Sequence, residues 1–397
     1  MPASAMARMN PPHHRARNGY AATAKATAAS KTSRARRRWR GGRRDSEAPR
    51  PFTDECYHFR MIAAVLRGPR SLDITTVASP TPGPSDAVIR VTAAGLCGTD
   101  YRIWTGERPV RYPLVMGHEF VGTVATIGSA VRNIAVGQAV AVEPNYSCGT
   151  CALCREGNRN LCLSRVAVGI DVDGGFAQQA TVPARCCWPA PAGLATERLL
   201  MAEPLAVVVR AVGRAAPVAG ETAAVLGVGS LGLLAVQVLR ARGCRVLAVA
   251  RSTRRLDLAR ELGAEAVALS GADDDTAAAR GFSGREGVDL VIETAGTALA
   301  VEQAVNLCRP GGRVVLTGLP HEATSLNFFW VVRRELRIIG SMIYQDEFPE
   351  AMRLLDAGAV KTDRLLSRTF PLDRIDEAFE AHRSPDSIKV AVIPPAG

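Results

Sequence analysis

The segment TAAVLGVGSLGLLAVQVLRARG, residues 222–243, begins with an apolar run and continues through a glycine-rich turn into a second apolar stretch. The run TAAVL has the length of a buried strand. The stretch after G-V-G-S-L-G has the length of a helix, and Gly243 is the residue type that commonly follows a helix. A strand, a glycine turn and a helix in this order predict the first unit of a parallel, doubly wound sheet.

Further strand and helix patterns follow this unit at short intervals. Strands are predicted at RVLAVA, AEAVAL, GVDLVIE, RVVLTG and LRIIGS, and helices at RRLDLARELG and ALAVEQAVNLCRPGG. Residues from about 344 add two helical stretches and a last strand, SIKVAVIP. The alternation of both element types predicts an α/β fold with a parallel sheet.

The chain before this sheet has a different pattern. Residues 61–205 are rich in valine, glycine and proline and contain short alternating segments such as AVIRVTAAGLCG and GHEFVGTVATIG. Many short strands separated by glycine turns are typical of an all-β, barrel-like domain. We therefore expect a β-rich domain followed by a doubly wound domain.

The formal net charge of +11 belongs to the N-terminal tail. Residues 1–60 hold 14 Lys or Arg and 4 Asp or Glu, whereas the rest of the chain holds 35 and 34. We expect the tail to be disordered and interpret it as a nucleic-acid-binding arm, a transit peptide or an upstream start outside the fold. The last is favoured because MIAAVLRGPRSLDITTV, from Met61, predicts a first pair of strands, so the tail should be dispensable. The nearly neutral body argues against nucleic-acid binding by the folded part.

The uncharged segments do not indicate a secreted or membrane protein. No apolar secretory signal is seen, and the longest uncharged run, residues 222–239, is interrupted by Gly227, Gly229 and Gly232. We therefore expect a soluble, cytoplasmic protein that does not bind a membrane. Ten cysteines in a reducing compartment favour metal ligands or free thiols over disulfides.

The segment CGTCALCREGNRNLC, residues 148–162, has the spacing C-x2-C-x2-C-x7-C. Four thiolates this close can surround one tetrahedral Zn²⁺. A redox Cys-x-x-Cys pair is the alternative, but no thioredoxin-like strand and helix surround these residues. Four protein ligands leave no position for substrate, so we expect a structural zinc bound by Cys148, Cys151, Cys154 and Cys162.

Three other fragments carry metal-ligand side chains: GLCGTD with Cys97, Thr99 and Asp100, GHEF with His118 and Glu119, and AEPLA with Glu203. Each fragment alone is a weak signal. Together they offer one sulfur, one nitrogen and one oxygen ligand and leave a fourth position open. This is the pattern of a catalytic zinc.

The turn G-V-G-S-L-G follows a strand and opens a helix, as a dinucleotide-binding turn requires. Its glycines allow the tight turn and the approach of a pyrophosphate to the free N–H groups of the helix. The residues expected to contact the cofactor in this turn are Gly227, Gly229, Ser230, Leu231 and Gly232.

The end of the second strand indicates which dinucleotide is bound. An NAD-specific site needs an acidic residue there, but Ala250 occupies that position and Arg251 follows it. Arg251 offers a charged fork for a 2′-phosphate, and the hydroxyls of Ser252 and Thr253 can add to it. NADP(H) is therefore expected in preference to NAD(H), with little weight on Arg255 as a further contact. The alternative interpretation is that Ala250 and Arg251 reflect ordinary sequence variation in a solvated loop.

In the order CGTD, GHE, the four-cysteine segment, EPLA and GVGSLG, the sequence resembles the zinc-dependent medium-chain dehydrogenases, in particular the polyol (sorbitol-like) and threonine dehydrogenase branch. The resemblance covers residues 61–397. It implies a GroES-like β-rich catalytic domain, a Rossmann domain and two zinc ions per subunit, one catalytic and one structural. The implied organisation is a basic tail at 1–60, the first part of the catalytic domain at 61–206, the Rossmann domain at 207–343 and a C-terminal return to the catalytic domain at 344–397.

The resemblance also implies roles for single residues. Cys97 and His118 match the catalytic zinc ligands, and Glu203 matches the glutamate that replaces a cysteine ligand in this branch. Glu119 matches a carboxylate beside the metal that binds it or leaves the position to water. Asp100 matches the acid that orients the histidine, as metal-bound imidazoles usually require.

Thr99 matches the hydroxyl that passes the substrate proton outward. Many polyol and threonine enzymes carry a histidine three residues later, where this chain has Arg102, which cannot shuttle protons near neutral pH. Arg102 is interpreted as a solvated surface arginine, which is favoured, or as a contact for an acidic or phosphorylated substrate.

The sequence therefore predicts a zinc-dependent, NAD(P)-linked alcohol dehydrogenase that acts on a secondary alcohol of a polyol, diol or related compound. The alternatives are a threonine-type amino-alcohol dehydrogenase and a non-catalytic nucleotide- or nucleic-acid-binding protein on the same fold. The expected partners are a small alcohol or ketone substrate and, from the resemblance, further copies of the chain in a homodimer or homotetramer.

Overall fold

The computed structural model describes residues 60–271 and 274–396. The expectations for the N-terminal tail concern residues before this range and lie outside the described chain. The first elements are β1 (Arg60–Gly68) and β2 (Ser71–Ala78), which pair antiparallel with Val65 opposite Asp73. The strand pair predicted from Met61 is therefore confirmed.

Short strands dominate the chain between β2 and the parallel sheet. The elements of this region are β3 (Asp86–Gly95), α1 (Gly98–Thr105), β4 (Leu114–Val115), β5 (Glu119–Ile127), β6 (Ala139–Val142), β7 (Asn145–Tyr146), α2 (Ala152–Arg155), β8 (Val166–Ala167), β9 (Gln179–Pro183), β10 (Cys187–Pro189), α3 (Thr196–Leu199) and α4 (Ala202–Ala215). Glycine turns between alternating apolar segments allow these short strands to fold back on one another.

The second region alternates strands and helices. Its elements are β11 (Thr222–Leu226), α5 (Ser230–Ala241), β12 (Arg245–Ala250), α6 (Thr253–Glu261), β13 (Ala266–Leu269), α7 (Asp275–Ser283), β14 (Val288–Glu293), α8 (Ala298–Leu307), β15 (Cys308–Leu316), α9 (Phe328–Arg333) and β16 (Arg337–Gly340). The strands form one parallel sheet in the order β13-β12-β11-β14-β15-β16. This is the doubly wound arrangement that the sequence predicted.

The chain ends by returning to the β-rich body. Its last elements are α10 (Phe348–Asp356), β17 (Leu366–Pro371), α11 (Ile375–Arg383) and β18 (Lys389–Ile393). β18 pairs antiparallel with β3 and parallel with β17, so the large β-sheet has the order β10-β6-β5-β3-β18-β17, with β9 also on β3. A separate small sheet has the order β2-β1-β4.

One apolar core is shared by the helices around the Rossmann sheet and by residues of the β-rich body. Leu205 and Val209 of α4 are buried in the same cluster as Leu234 of α5 and Leu355 of α10. The α10 helix packs mainly on α4, and the return to the β-rich body is made by β17, α11 and β18. None of the described helices combines the length and the apolar character needed to cross a membrane.

Candidate active site

The buried carboxylate of Asp100 contacts both Cys97 and His118. Cys97 precedes α1, and its backbone N–H donates to Oδ2 of Asp100 at 2.9 Å. The other carboxylate oxygen lies 3.1 Å from Nδ1 of His118, which comes immediately before β5. Asp100 has no exposed surface. The contact occupies Nδ1 and leaves Nε2 of His118 as the nitrogen available to a metal.

Asp100 also sets the proton affinity of His118. Burial lowers the pKa of this imidazole, but the negative charge and the hydrogen bond of Asp100 outweigh burial and hold the pKa well above its ordinary value. A metal that binds the imidazole therefore displaces a proton, and its affinity rises with pH.

The Glu119 carboxylate reaches the same point as the thiol and the imidazole. One ligand atom each from Cys97, His118 and Glu119 lies within 4.8 Å of the other two. Glu119 is also paired with the buried ammonium group of Lys389, at the start of β18. Lys389 donates in addition to the carbonyl of Leu96 at 3.2 Å. The C-terminal strand thus places a fixed positive charge beside the predicted ligands.

Glu203 enters the site from the first turn of α4. Its carboxyl is buried and hydrogen-bonded to the hydroxyl of Tyr344, which accepts a 2.6 Å hydrogen bond from Nδ2 of Asn145. Burial, followed by the negative charge of Glu119, raises the pKa of Glu203 to about 7. A cation at this point stabilises both carboxylates because it relieves their mutual repulsion.

A cleft of about 470 Å³ joins these side chains to the glycine turn after β11. Of the predicted site residues, it is lined by Cys97, Thr99, His118, Glu119, Glu203, Gly229, Ser230, Leu231, Gly232 and Arg255. Asp100 lies behind His118. Among the described residues, Gly227, Ala250, Arg251 and Ser252 are not part of this lining.

The donor set of the cleft fits a catalytic zinc ion. Thiolate, imidazole and carboxylate are the ligand types of zinc, and separations of up to 4.8 Å allow the three groups to face one ion. Cys97, His118 and Glu119 would hold the ion, with Glu203 beside them. Bound zinc supplies a Lewis acid for the oxygen of an alcohol or ketone.

The four-cysteine segment forms a separate lobe around α2. The Sγ atom of Cys148 lies 3.5 Å from that of Cys162 and 3.9 Å from that of Cys154, and Cys151 lies 3.9 Å from Cys162. A zinc tetrahedron with bonds of about 2.3 Å has sulfur–sulfur edges of roughly 3.8 Å. The four free thiols therefore have the spacing of a closed zinc site.

The thiols of the lobe differ in proton affinity. Backbone N–H groups of Thr150 and Cys151 lower the pKa of Cys148 to about 6. Burial raises the pKa of Cys154 to about 11. A bound cation is needed to hold both residues as thiolates at neutral pH.

The lobe is anchored to the loop that follows β16. The side-chain amide of Asn160 donates to the carbonyl of Met342 at 3.0 Å. Gln345 donates to the carbonyl of Gly157. The lobe therefore depends on its own ligands for its shape and on a few hydrogen bonds for its position.

The glycine turn leaves no room for side chains at two of its positions. Gly227 has a φ of 89°, and a Cβ atom there would lie 2.8 Å from Cβ of Ala295. A Cβ atom on Gly232 would lie 1.9 Å from the carbonyl oxygen of Gly227. A Cβ atom on Gly229 would meet no protein atom within 4 Å. This open space at the N-terminus of α5, a helix of 12 residues, fits the pyrophosphate of a dinucleotide.

Positive charge is concentrated where β12 ends. Ala250 is the buried last residue of this strand, and Arg251 is exposed beyond it. Arg255 donates to the carbonyl of Ser387 at 2.7 Å. Burial, followed by the positive charges of Arg251 and Arg254, lowers the pKa of Arg255. An anion at this point would relieve the repulsion among the three arginines.

Family models match both bodies of the chain. Residues 83–192 match the alcohol dehydrogenase GroES-like domain, and residues 230–357 match the zinc-binding dehydrogenase model. The chain belongs to the zinc-dependent medium-chain dehydrogenase family. The GroES-like and Rossmann assignments and the resemblance stated from the sequence are therefore confirmed.

Curated relatives match the dehydrogenase over most of its length. L-threonine 3-dehydrogenase from Bacillus velezensis is 31% identical over 342 residues, which are 83% of this chain and 98% of the relative. Sorbitol dehydrogenase from Bacillus subtilis is 32% identical over 327 residues, which are 81% and 93% of the two chains.

Among the solved structures of similar enzymes, one contains NADP and another contains NADH. A zinc-binding dehydrogenase from Sinorhizobium meliloti bound to NADP is 37% identical, with a TM-score of 0.81 over 85% of this chain and 100% of the other. The alcohol dehydrogenase RspB from Escherichia coli in complex with NADH is 30% identical, with a TM-score of 0.79 over 84% and 99%. The present chain is a zinc-dependent, NAD(P)-linked alcohol dehydrogenase, as its sequence predicted.

Arg102 of the dehydrogenase is still reached by solvent, as the sequence favoured, but it belongs to the cleft and not to the outer surface. It is half-buried and lines the cleft, and its Nη1 donates to the carbonyl of Leu319 at 3.2 Å. The reason is its position on α1, where residues three apart share one face and Thr99 already faces the cleft. Leu319 comes from the loop after β15, which the sequence could not place beside α1.

Several residues of the site were missed in the sequence. Lys389 and Tyr344 contact the carboxylates, and His382 on α11 lines the cleft with no hydrogen-bond partner for its Nδ1 among the described residues. Arg108 and Arg165 also line the cleft. Lysine within the apolar strand SIKVAVIP was the available signal, because a charge is buried in a strand only with a partner. No local pattern marks the others.

Proposed function

We propose that the dehydrogenase transfers hydride between NADP and a secondary alcohol of a polyol, a diol or a related hydroxyl compound. The observation that carries this proposal is the single cleft shared by Cys97, His118 and Glu203 with the glycine turn of α5. The arrangement brings a hydroxyl near the zinc ligands next to a bound dinucleotide. Sorbitol and L-threonine, named in two relatives, both carry secondary hydroxyl groups.

In this proposal Cys97, His118 and Glu119 bind the catalytic zinc, and Glu203 beside them supplies a further carboxylate ligand. Glu119 is the weaker ligand because Lys389 already neutralises its charge. The four lobe cysteines hold a second, structural zinc ion, and elemental analysis should therefore find two zinc ions per chain.

Two further residues of α1 support the reaction. The Asp100 carboxylate keeps the His118 ring oriented through Nδ1. Thr99, the residue before Asp100 on α1, lines the cleft. Its hydroxyl can therefore take the substrate proton and pass it outward.

A substrate screen tests the proposed function. The purified full chain is assayed for reduction of NADP and of NAD with sorbitol, 2,3-butanediol, L-threonine and ethanol. Turnover with the polyol or the diol and little with ethanol supports the proposal. Turnover with L-threonine alone assigns an amino-alcohol dehydrogenase instead. No reduction with any compound, in protein that contains two zinc ions, refutes it.

NADP preference is supported by the charge at the carboxyl end of β12. Arg251 and Arg255 lie within the first residues after Ala250, which itself carries no acidic group to repel a 2′-phosphate. The nearby Asp386 is paired with Arg254. Ser252 immediately precedes α6, and its side chain does not cap the helix, so its hydroxyl is available to a phosphate.

Ala250→Asp is expected to shift cofactor preference toward NAD. The new carboxylate would accept a hydrogen bond from the ribose 2′-hydroxyl and repel a 2′-phosphate. We expect the ratio of kcat/KM for NADP to that for NAD to fall by about 10- to 100-fold, the scale of one charge-assisted hydrogen bond. Equal or better use of NAD by the native enzyme contradicts the proposed preference and makes Arg251 a solvated loop residue.

We also propose that the dehydrogenase forms a homodimer or homotetramer through the end of the Rossmann sheet. β16 ends the strand order, and α9 precedes it with Phe328, Phe329 and Val332 exposing 66%, 59% and 76% of their surface. A free strand edge beside an apolar patch is a self-complementary contact for a second copy.

Val332→Asp should convert the assembly to monomers, as measured by size-exclusion chromatography with light scattering. The charge would have to be buried without a partner in the contact. Val218→Asp is the matched control, because Val218 is 64% exposed outside the α9 patch and should leave the assembly intact. A native chain that is monomeric at micromolar concentration rules the interface out.

A further inference from the structure

We propose that the substrate of this dehydrogenase carries an anionic group, a carboxylate or a phosphate, which is bound in the cleft by Arg102, Arg108 and Arg165. The inference rests on the proposed function and narrows its substrate class. All three side chains are half-buried and line the cleft that contains Cys97 and His118.

Arg102 and Arg108 are held at the cleft by the local structure. Arg102 lies one helical turn after Thr99 on α1, so the two side chains share one face of the helix. Its guanidinium donates to the carbonyl of Leu319 at 3.2 Å, which ties the group to the loop after β15 while solvent still reaches it. The backbone N–H of Arg108 donates to the carbonyl of Arg102 at 3.0 Å and holds the following loop against the helix.

Arg165 is connected to the zinc side of the cleft. Arg165 lies just before β8 in the chain, and its guanidinium donates to Oδ1 of Asn145 in β7. Asn145 donates to the hydroxyl of Tyr344 at 2.6 Å, and Tyr344 is hydrogen-bonded to Glu203. This series of contacts fixes Arg165 within a few side chains of the predicted metal ligands.

The charges of the three arginines are not balanced by the protein. Within residues 60–271 and 274–396, no carboxylate forms an ion pair with any of them, although ion pairs of arginine occur elsewhere in the chain, as at Arg245 and Arg374. Among the described residues, the only carboxylates that line the cleft are Glu119, which faces the same point as Cys97 and His118, and Glu203.

Unpaired guanidinium groups in a cleft favour an anionic ligand. Partial burial removes water from the charges, and their mutual repulsion adds to the cost unless a negative group enters. The planar guanidinium binds carboxylate and phosphate through two parallel hydrogen bonds. A neutral polyol needs no such group. The phosphates of the cofactor would have separate contacts, at the open space beside Gly229 and near Arg255, which donates to the carbonyl of Ser387.

The test compares three six-carbon compounds that differ in charge: sorbitol, sorbitol 6-phosphate and gluconate. Each is titrated by calorimetry into the full-length, zinc-loaded enzyme saturated with NADPH, so that the cofactor sites are filled and no alcohol is oxidised. The same titrations are made with Arg102→Gln, Arg108→Gln and Arg165→Gln. Arg111→Gln is the matched control, because Arg111 is exposed on the loop that follows Arg108.

We expect sorbitol 6-phosphate or gluconate to bind at least about tenfold more tightly than sorbitol, the scale of a charge-assisted hydrogen bond. Whichever of the two binds more tightly identifies phosphate or carboxylate as the group. The preference over sorbitol should fall about tenfold in at least one cleft variant and remain in Arg111→Gln.

Equal or tighter binding of sorbitol overturns the inference, as does the absence of measurable binding by both anions. A preference that survives all three cleft substitutions also overturns it. A loss of NADPH affinity in the variants, with the anion preference intact, assigns the arginines to the cofactor instead. Failure of the proposed function is a separate result, since it is the absence of NADP and NAD reduction with every compound of the substrate screen described above.

Discussion

Replacing His118 by alanine should abolish hydride transfer while the cofactor still binds. The substitution removes the imidazole that lies beside Cys97 and Glu119, and with it one predicted ligand of the catalytic zinc. We expect kcat/KM to fall by at least about a thousandfold, which corresponds to roughly 4 kcal/mol of transition-state stabilisation. The glycine turn belongs to a separate sheet, so the affinity for NADPH should stay within about threefold of the native value.

Asp100→Asn should cause a smaller loss of zinc affinity and activity than His118→Ala. This change keeps both Cys97 and His118 but weakens the contact that orients Nδ1. The loss of zinc affinity or activity should be about 10- to 100-fold, as for other residues that support a metal ligand. Elemental analysis, kcat/KM and NADPH fluorescence separate the two variants. A His118→Ala enzyme that retains two zinc ions and near-native turnover would remove His118 from the metal site.

Cys154→Ser should cost the lobe its zinc ion and lower the stability of the chain. The four sulfur atoms are the only ligands expected there, and serine binds zinc far more weakly than a thiolate. Because the free energy of binding a structural zinc is also free energy of folding, we expect a melting temperature lower by roughly 5 °C or more. The zinc content should drop from two ions per chain to one.

The control for this variant is Cys244→Ser. Cys244 is buried in the Rossmann core, away from both metal sites, so this chain should keep two zinc ions. The Cys154→Ser protein that remains folded should bind NADPH normally and retain its catalytic zinc. A variant with native stability that has lost only hydride transfer would show that the lobe takes part in the reaction.

Short-range sequence patterns determined those parts of the protein whose structure depends only on residues close to one another in the chain. The spacing C-x2-C-x2-C-x7-C already brings thiols to sulfur–sulfur distances of 3.5–3.9 Å, because so short a segment can close around one ion by itself. The segment G-V-G-S-L-G joins β11 to α5 and includes the first residues of the helix, as predicted, and no side chain fits at Gly227 or Gly232.

Apolar runs predicted the six parallel strands, whereas weaker patterns hid other elements, among them α7 and β17. The α7 helix begins at Asp274, whose side chain accepts hydrogen bonds from the backbone N–H groups of Thr276 and Ala277. Its polar, alanine-rich sequence has little apolar periodicity. The β17 strand, LSRTFP, is largely exposed and lacks the alternation of a half-buried strand. It is a strand because β18 lies beside it.

Only the tertiary structure decided which distant side chains complete the active site. Lys389 lies 270 positions after Glu119 in the chain, and it reaches that carboxylate because β18 pairs with β3. Arg102 lies in the cleft because a loop of the Rossmann domain approaches α1 through Leu319. A buried charge is stable only beside a partner, and that partner is supplied by the packing of elements far apart in sequence. No local pattern can therefore show whether a lysine or an arginine belongs to the surface or to the site.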